Sequence, residues 1–417
     1  MKEEEKLKIL SDLISFKTVN TNEKAVADYL SYLFQIHHIS STIVGQDAER
    51  ANLVVEIGNN NGPVLGFTGH ADTVHEGDAA SWSTNPFQAV EKDGKIYGRG
   101  TTDMKGGLAE FAIAVIELKE EGAVLNGTLR FLVTVGEEIT LEGAKKLAQL
   151  GYVDDMEAVI AAEPTGVFTD ELDAYLSSGG AIIDDAIHQK LTQALKNSTA
   201  AEQHFILNAH KGGLDYTVTA HGKAAHSSMP KLGVNAIQMI MDYQQAERAL
   251  FASFTETNKY LGQTLYNPDM VAGGNQPNSI PDTAQLTVNV RCIPELPVKE
   301  IVHRVGELIE DLNKRPNMNL SLDVGSNFAP VESAADSRVI KILQSHAGML
   351  CEALPLPTLS VSLGTDVSRF REVNPNIDMA IVGPGNTTAH QKNEFVSKST
   401  YLTMINLFKE TAKDYLK

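Results

Sequence analysis

Four stretches of this chain end an apolar run on residues that can bind a cation or move a proton. "VLGFTG" runs into His70 and Asp72; "LRFLVTVG" runs into Glu137 and Glu138. "AVIAA" runs into Glu163, and "MAIVGPG" is followed within a few residues by His390. Asp103 stands in "GRGTTDMKGG", a glycine-rich turn before a helical segment. One polar strand end is ordinary. Four with the same chemistry are not, because ligands of open α/β sheets bind at the carboxyl ends of the strands. That edge would collect two histidines and five carboxylates, which repel unless a cation sits among them. Histidine and carboxylate without thiolate suit zinc, cobalt or manganese. Two such ions need about three protein ligands each, with one carboxylate shared and a water completing the shells.

Other chemistries are excluded by pattern. "HEGDA" at His75 starts like a helical zinc-protease motif, but its fifth residue is Ala79. There is no G-x-S-x-G elbow and no phosphate-binding P-loop. Cys292 and Cys351 are the only two cysteines, too few for a thiolate zinc site or a disulfide framework. The 417 residues carry a formal net charge of -18, which argues against nucleic acid and anionic membrane as partners. The start, "MKEEEKLKIL", has no apolar signal core, and no apolar run is long enough to span a bilayer, so a cytoplasmic protein is expected.

The elements that must hold these residues alternate. "ANLVVEIG", "GPVLGFTG", "GTLRFLVTVGEE", "MEAVIAAEP" and "IDMAIVGPG" are β-rich. "GGLAEFAIAVIELKEEG", "LEGAKKLAQLG" and "STYLTMINLFKETAKDYL" have helical spacing. Near-continuous apolar strands between helices imply a mostly parallel sheet covered by helices. In the middle, "LDYTVTAHGKAAHSS" and "AQLTVNVRCIP" alternate polar and apolar residues, as antiparallel strands with one wet face do. The α/β class is therefore expected, with 1–207 and 330–417 forming a catalytic metal-binding domain. An inserted α+β two-layer domain is expected over 208–329. Residues 168–205 fit neither pattern and read as a polar, partly helical insertion.

At this point the motifs carry a resemblance. "GHADTV", "GRGTTDMKGG", "GEE", "AAEPTG", "GPG" and "AHQKNE" resemble the M20 metallopeptidase family of deacetylases, desuccinylases, aminoacylases and carboxypeptidases. "GKAAHSSMPKLGVNAI" and "GGNQPNSIPDTAQLTVNVR" resemble its inserted domain, and "SFKTVNTNEKAVADYL" its entry helices.

The resemblance implies a dimetal exopeptidase-like catalytic domain and a lid that also dimerises. It implies that Asp103 bridges two divalent metals, zinc first with cobalt or manganese as alternatives. His70 and Glu163 would complete one site, and Glu138 and His390 the other. Asp72 would orient the His70 ring, and a cis peptide would follow Asp103. Glu137 would act as general base toward a metal-bridged water attacking an amide carbonyl. His226 would supply an oxyanion donor, delivered from the second subunit of a homodimer. Arg291 would hold the substrate's carboxylate, with Asn278, Gly364 and Thr365 beside it.

The substrate class so implied is an N-acyl amino acid, first N-succinyl-LL-2,6-diaminopimelate in lysine biosynthesis. Acetylornithine deacetylase, or a dipeptidase or aminoacylase, is the next expectation. A non-catalytic binding protein on the same fold is the alternative from another class. Two departures from the family pattern stand out: the insertion at 168–205, and a short loop at Thr365 without a longer glycine-rich signature.

Overall fold

A computed structural model describes residues 1–417. The chain divides into two compact units. The first comprises Met1–Ala209, Glu332–Val361 and Thr365–Lys417; the second comprises His210–Val331 and Ser362–Gly364.

The first unit is built on a large sheet. Its strands lie side by side in the order Ser41–Gly45, Ala51–Gly58, Thr128–Thr134, Val64–His70, Met156–Ala161, Asp378–Ile381, Ile206–His210, Thr358–Val361 and Ala181–Ile182. Thr128–Thr134, Val64–His70, Met156–Ala161 and Asp378–Ile381 are parallel to one another; Ala51–Gly58 pairs antiparallel with Thr128–Thr134 and with Ser41–Gly45, Ile206–His210 with Asp378–Ile381, and Ala181–Ile182 with Thr358–Val361. All seven residues of Val64–His70 are buried, as expected of a strand covered on both faces.

Helix Lys105–Glu120 is buried from Lys105 through Leu118, so its apolar composition all round reflects a place in the core. It packs between Glu3–Ser15 and Lys398–Tyr415, and the latter also packs on Arg338–His346. The Phe111 ring stacks on Phe67 at 4.3 Å between centroids and leans on Phe408 at 4.7 Å. Those contacts tie the helix and the strand that ends in His70 into one hydrophobic cluster. A second group, Glu142–Gln149 with Val367–Val373, carries the segment that follows Glu138.

The 168–205 stretch is ordered into the first unit. Gly166–Phe168 pairs antiparallel with Glu202–His204. Between them lie two helices, Leu172–Leu176 and Asp185–Leu195, the second capped by Asp184. Ala181–Ile182 pairs with Thr358–Val361, so this stretch supplies the last strand of the large sheet.

The second unit has a four-stranded antiparallel sheet, ordered Leu265–Gly273, Thr283–Cys292, Gly212–His221 and Leu320–Phe328. Helices Ala236–Ala252 and Val298–Asn313 pack together on it. Burial alternates along Gly212–His221 and Thr283–Cys292, as the sequence alternation predicts. The two flanking strands carry weaker alternation and escape a reading by pattern alone. Beneath the sheet, the buried Glu247 carboxylate accepts hydrogen bonds from the hydroxyls of Tyr216 (2.6 Å), Tyr243 (2.5 Å) and Tyr266 (2.5 Å). No helix in the chain is long and apolar enough to cross a membrane.

Candidate metal centre

Strand register decides which side chains meet. Val64–His70 lies parallel to Thr128–Thr134 with His70 opposite Thr134, and Thr68 lies opposite Ala161. Asp378–Ile381 continues the same direction beside Met156–Ala161. The residues just past these strand ends therefore emerge along one edge. Thr18, after the first helix, donates its hydroxyl to the Ala71 carbonyl at 2.6 Å and fixes the backbone between His70 and Asp72. A Cβ on Gly107 would overlap the Ala162 carbonyl, so only glycine lets the helix after Asp103 come this close to the segment holding Glu163. The Asp103–Met104 peptide is cis.

His70 Nε2 lies 3.1 Å from Asp103 Oδ1, 3.7 Å from Glu163 Oε2 and 4.0 Å from Glu137 Oε2. His390 Nε2 lies 3.1 Å from Asp103 Oδ2 and 3.2 Å from Glu138 Oε2. Two ligand-sized groups result, His70–Glu137–Glu163 and His70–Asp103–Glu138, each with its donor atoms within 4.8 Å of one another. Burial at this edge is deep: His70 and Asp72 are fully enclosed, and Glu163 is 9% exposed. His390 is the exposed member.

The charges here are strongly coupled. Burial opposes a positive His70, but Glu163, Asp103 and Asp72 outweigh it and raise its pKa well above the ordinary value. Hydrogen bonds to Asp103 and Glu138 raise His390 to about 10. Asp103 is half-buried, yet the two imidazoles hold it well below the usual carboxylate range. Glu137 is pushed well above that range by burial and then by Glu163, and Glu163 is raised chiefly by burial. Buried carboxylates forced upward beside each other are what a cation relieves. One buried oxygen, Glu138 Oε1, has no hydrogen-bond partner. Acceptor-only carboxylates, an orphaned oxygen and two Nε2 atoms facing one shared carboxylate fit a pair of divalent cations. The absence of thiolate keeps them to ions content with nitrogen and oxygen.

His70, Asp72, Asp103, Glu137, Glu138, Glu163 and His390 thus meet in one place. Asp72 sits behind the His70 ring: His70 Nδ1 lies 3.0 Å from its main-chain oxygen and 3.6 Å from its Oδ1. The same carboxylate also accepts the backbone N–H groups of Glu137 (3.2 Å) and Glu138 (3.1 Å), fixing the turn that presents both glutamates. Thr365 is buried in the first unit.

The other four singled-out residues belong to the second unit. His226 is exposed on a two-residue strand paired with Ser279–Ile280, and its Nδ1 meets Ser228 Oγ at 2.7 Å. The Asn278 carbonyl accepts the Ser227 N–H. The Arg291 guanidinium stands 5.9 Å from the Phe328 ring centroid, and a Cβ on Gly364 would run into that same ring.

Three residues at this edge were not singled out by sequence. Asp366, next to Thr365, is buried and accepts a hydrogen bond from Thr134 with one oxygen, while its other oxygen has no hydrogen-bond partner. Burial pushes its pKa up to about 7. Arg99 and Glu394 form a buried ion pair behind Asp103. Both lie inside quoted motifs, "GRGTTD" and "AHQKNE", but nothing in their spacing shows that they pair.

The family model described as Peptidase family M20/M25/M40 matches residues 66–414. A Staphylococcus aureus protein named "Probable succinyl-diaminopimelate desuccinylase" is 37% identical over 441 aligned residues, covering 100% of this chain and 98% of that protein. An acetylornithine deacetylase of Buchnera aphidicola is 26% identical, covering 96% of this chain and 97% of its own length. Among solved structures, aminopeptidase PepT of Bacillus cereus superposes with a TM-score of 0.73 at 19% identity, covering all of both chains. That likeness speaks to the fold.

Proposed function

Because the chain belongs to peptidase family M20/M25/M40, and is thereby a hydrolase acting on amides, we propose that it removes the succinyl group of N-succinyl-LL-2,6-diaminopimelate. This places it in lysine biosynthesis and in the cytoplasm. The full-length 37% identity to staphylococcal proteins of that name supports the acyl group. The weaker likeness to an acetylornithine deacetylase keeps acetylornithine as the second reading.

One observation carries the chemistry: a single carboxylate, Asp103, is shared between His70 and His390 on its two oxygens. The family is dimetal-dependent, and the ligand groups described above are where such a pair belongs. In this reading His70, Asp103 and Glu163 would hold one cation, and Asp103, Glu138 and His390 the other, with zinc first and cobalt or manganese as alternatives. Bound there, the cations would supply Lewis acidity toward the amide carbonyl and lower the pKa of water toward about 7. Glu137 would take a proton from the attacking water and return it to the departing amine nitrogen. Asp72 holds Glu137 and Glu138 in place through their backbone N–H groups. His226 is assigned to the oxyanion, as a donor from the second subunit of a dimer. Arg291, with Asn278, Gly364 and Thr365, is assigned to the substrate's carboxylate, for which a guanidinium fork is suited.

The homodimer is proposed to form through the second unit. Its outermost strand, Leu265–Gly273, leaves one edge unpaired in the sheet order and exposes Met270 and Val271 at 68% and 74%. An exposed apolar edge strand is an association site unless covered.

The test is a panel of N-succinyl-LL-2,6-diaminopimelate, N-acetylornithine and dipeptides, each with zinc, cobalt or manganese, reading amine release. The succinylated substrate should give the highest kcat/KM. A preference for dipeptides would reject the assignment, and a preference for acetylornithine would promote the second reading.

A further inference from the structure

We infer that Glu394 is a positioning residue for the metal centre: its carboxylate clamps the turn presenting Asp103, and that clamp sets how tightly the centre holds its cations. The inference rests on the metal-centre reading above.

Glu394 is completely buried. Its Oε1 accepts the backbone N–H groups of Gly100 (3.0 Å), Thr102 (2.8 Å) and Asp103 (3.0 Å). Its Oε2 accepts Gly100 N–H as well and pairs with the Arg99 guanidinium. The main chain of Glu394 joins in, its carbonyl accepting Gly98 N–H at 3.0 Å, while Thr102 Oγ donates to the Phe395 carbonyl at 2.7 Å. Converging N–H groups of this kind form a cradle for one anion, here supplied by the chain itself. Arg99 is also buried, faces the Trp82 ring at 5.2 Å and donates to the His75 carbonyl. The guanidinium and the N–H groups oppose the burial of the Glu394 charge only in part, and burial still raises its pKa.

The turn has little preference of its own for this shape. Gly100 sits at φ +89°, where a glycine is as free to be elsewhere. Without the carboxylate, the N–H groups of Gly100, Thr102 and Asp103 would have to find water or the turn would relax. The Asp103 side chain would then lose the orientation that offers one oxygen to His70 and the other to His390. Glu394 also lies four positions after His390, on a segment pinned further by Asn393 Oδ1, which accepts Ser83 N–H at 2.7 Å. One side chain therefore braces both the shared carboxylate and the loop bearing the histidine opposite it.

Glu394→Ala and Glu394→Gln would be prepared as full-length protein, stripped of metal and titrated with cobalt, following visible absorption. Amide hydrogen exchange at Gly100, Thr102 and Asp103 would be read in the same samples. Loss of partners that orient metal ligands typically costs about 10- to 100-fold in affinity. Glu394→Ala should show such a loss, a changed cobalt spectrum, faster exchange at those three amides, and a lower kcat with KM little changed. Glu394→Gln keeps one acceptor oxygen and should lie between. A merely structural role would lower the melting temperature while leaving cobalt affinity and spectrum as in the wild type, and that result overturns the inference. Should Glu394→Ala fail to fold, wild-type affinity and exchange in Glu394→Gln overturn it equally. If the wild type itself takes up no cobalt, the metal-centre reading fails first and the inference goes with it.

Discussion

His390 Nε2 stands 3.1 Å from Asp103 Oδ2, while Oδ1 of the same carboxylate lies 3.1 Å from His70 Nε2. Asp103→Ala should therefore remove the one group that the two proposed cations would share. Bound metal measured by elemental analysis should fall by at least one ion per chain, and turnover should fall by about 10³-fold or more, as when groups acting as a unit are broken. Full metal content in a folded Asp103→Ala protein would contradict the shared-ligand geometry.

Glu137 and Glu163 sit almost equally near His70, at 4.0 and 3.7 Å, so distance alone does not separate a base from a ligand. Glu137→Ala should reduce kcat by roughly 10²- to 10⁴-fold, the usual worth of general acid–base catalysis, with metal content unchanged. Loss of one metal ion in that variant would make Glu137 a ligand instead.

Glu117 offers a pH test away from the centre. Burial alone would raise its pKa, but Lys6, the N-terminal ammonium and Lys409 outweigh it and bring the value from 4.5 down to about 2. A depressed carboxylate stabilises the folded state above its unfolded pKa, and that stabilisation fades as pH falls from about 4.5 to about 2. The shift corresponds to about 3 kcal/mol at most. In urea unfolding, Glu117→Gln should be less stable than the wild type at pH 7, and the gap should narrow by pH 3. A gap independent of pH would show that the network works through packing.

Arg50 pairs with the fully buried Glu23 and also with Glu142, joining helix Glu23–Ile36 to the segment after Glu138. Arg50→Met should leave the buried Glu23, whose pKa burial already raises, without its partner. The expected cost is about 3 kcal/mol, visible as a lower denaturation midpoint. Stability within about 0.5 kcal/mol of the wild type would mean the pair is no better than a surface bridge.

Val271→Lys places a charge on the exposed edge strand of the second unit. The wild type should sediment as a dimer and the variant as a monomer, because edge lysines block strand pairing. Dimers that survive the substitution would move the interface elsewhere.

Much of the centre is legible in the sequence. His70, Asp72, Glu137, Glu138 and Glu163 each follow an apolar run, and buried parallel strands announce themselves by composition. The alternating strands and helices of the second unit were legible for the same reason, as hydrophobic periodicity is local. Leu265–Gly273 was not, since seven consecutive exposed residues leave no alternation to see. Neither was the full bond pattern of Asp72, whose carboxylate holds the Glu137 and Glu138 N–H groups as well as standing beside the His70 ring.

The sequence by itself determined the kind of chemistry: nitrogen and oxygen donors, no thiolate, and a chain order of motifs that resembles the M20 family. Tertiary structure alone decided who touches whom. The approach of His390 to Asp103, the burial of Glu394 beneath that turn, and the unpartnered oxygens of Glu138 and Asp366 depend on strand register and on loops closing over hundreds of positions. A side chain's identity is written locally, but its partner is chosen by which strands pair and at what register.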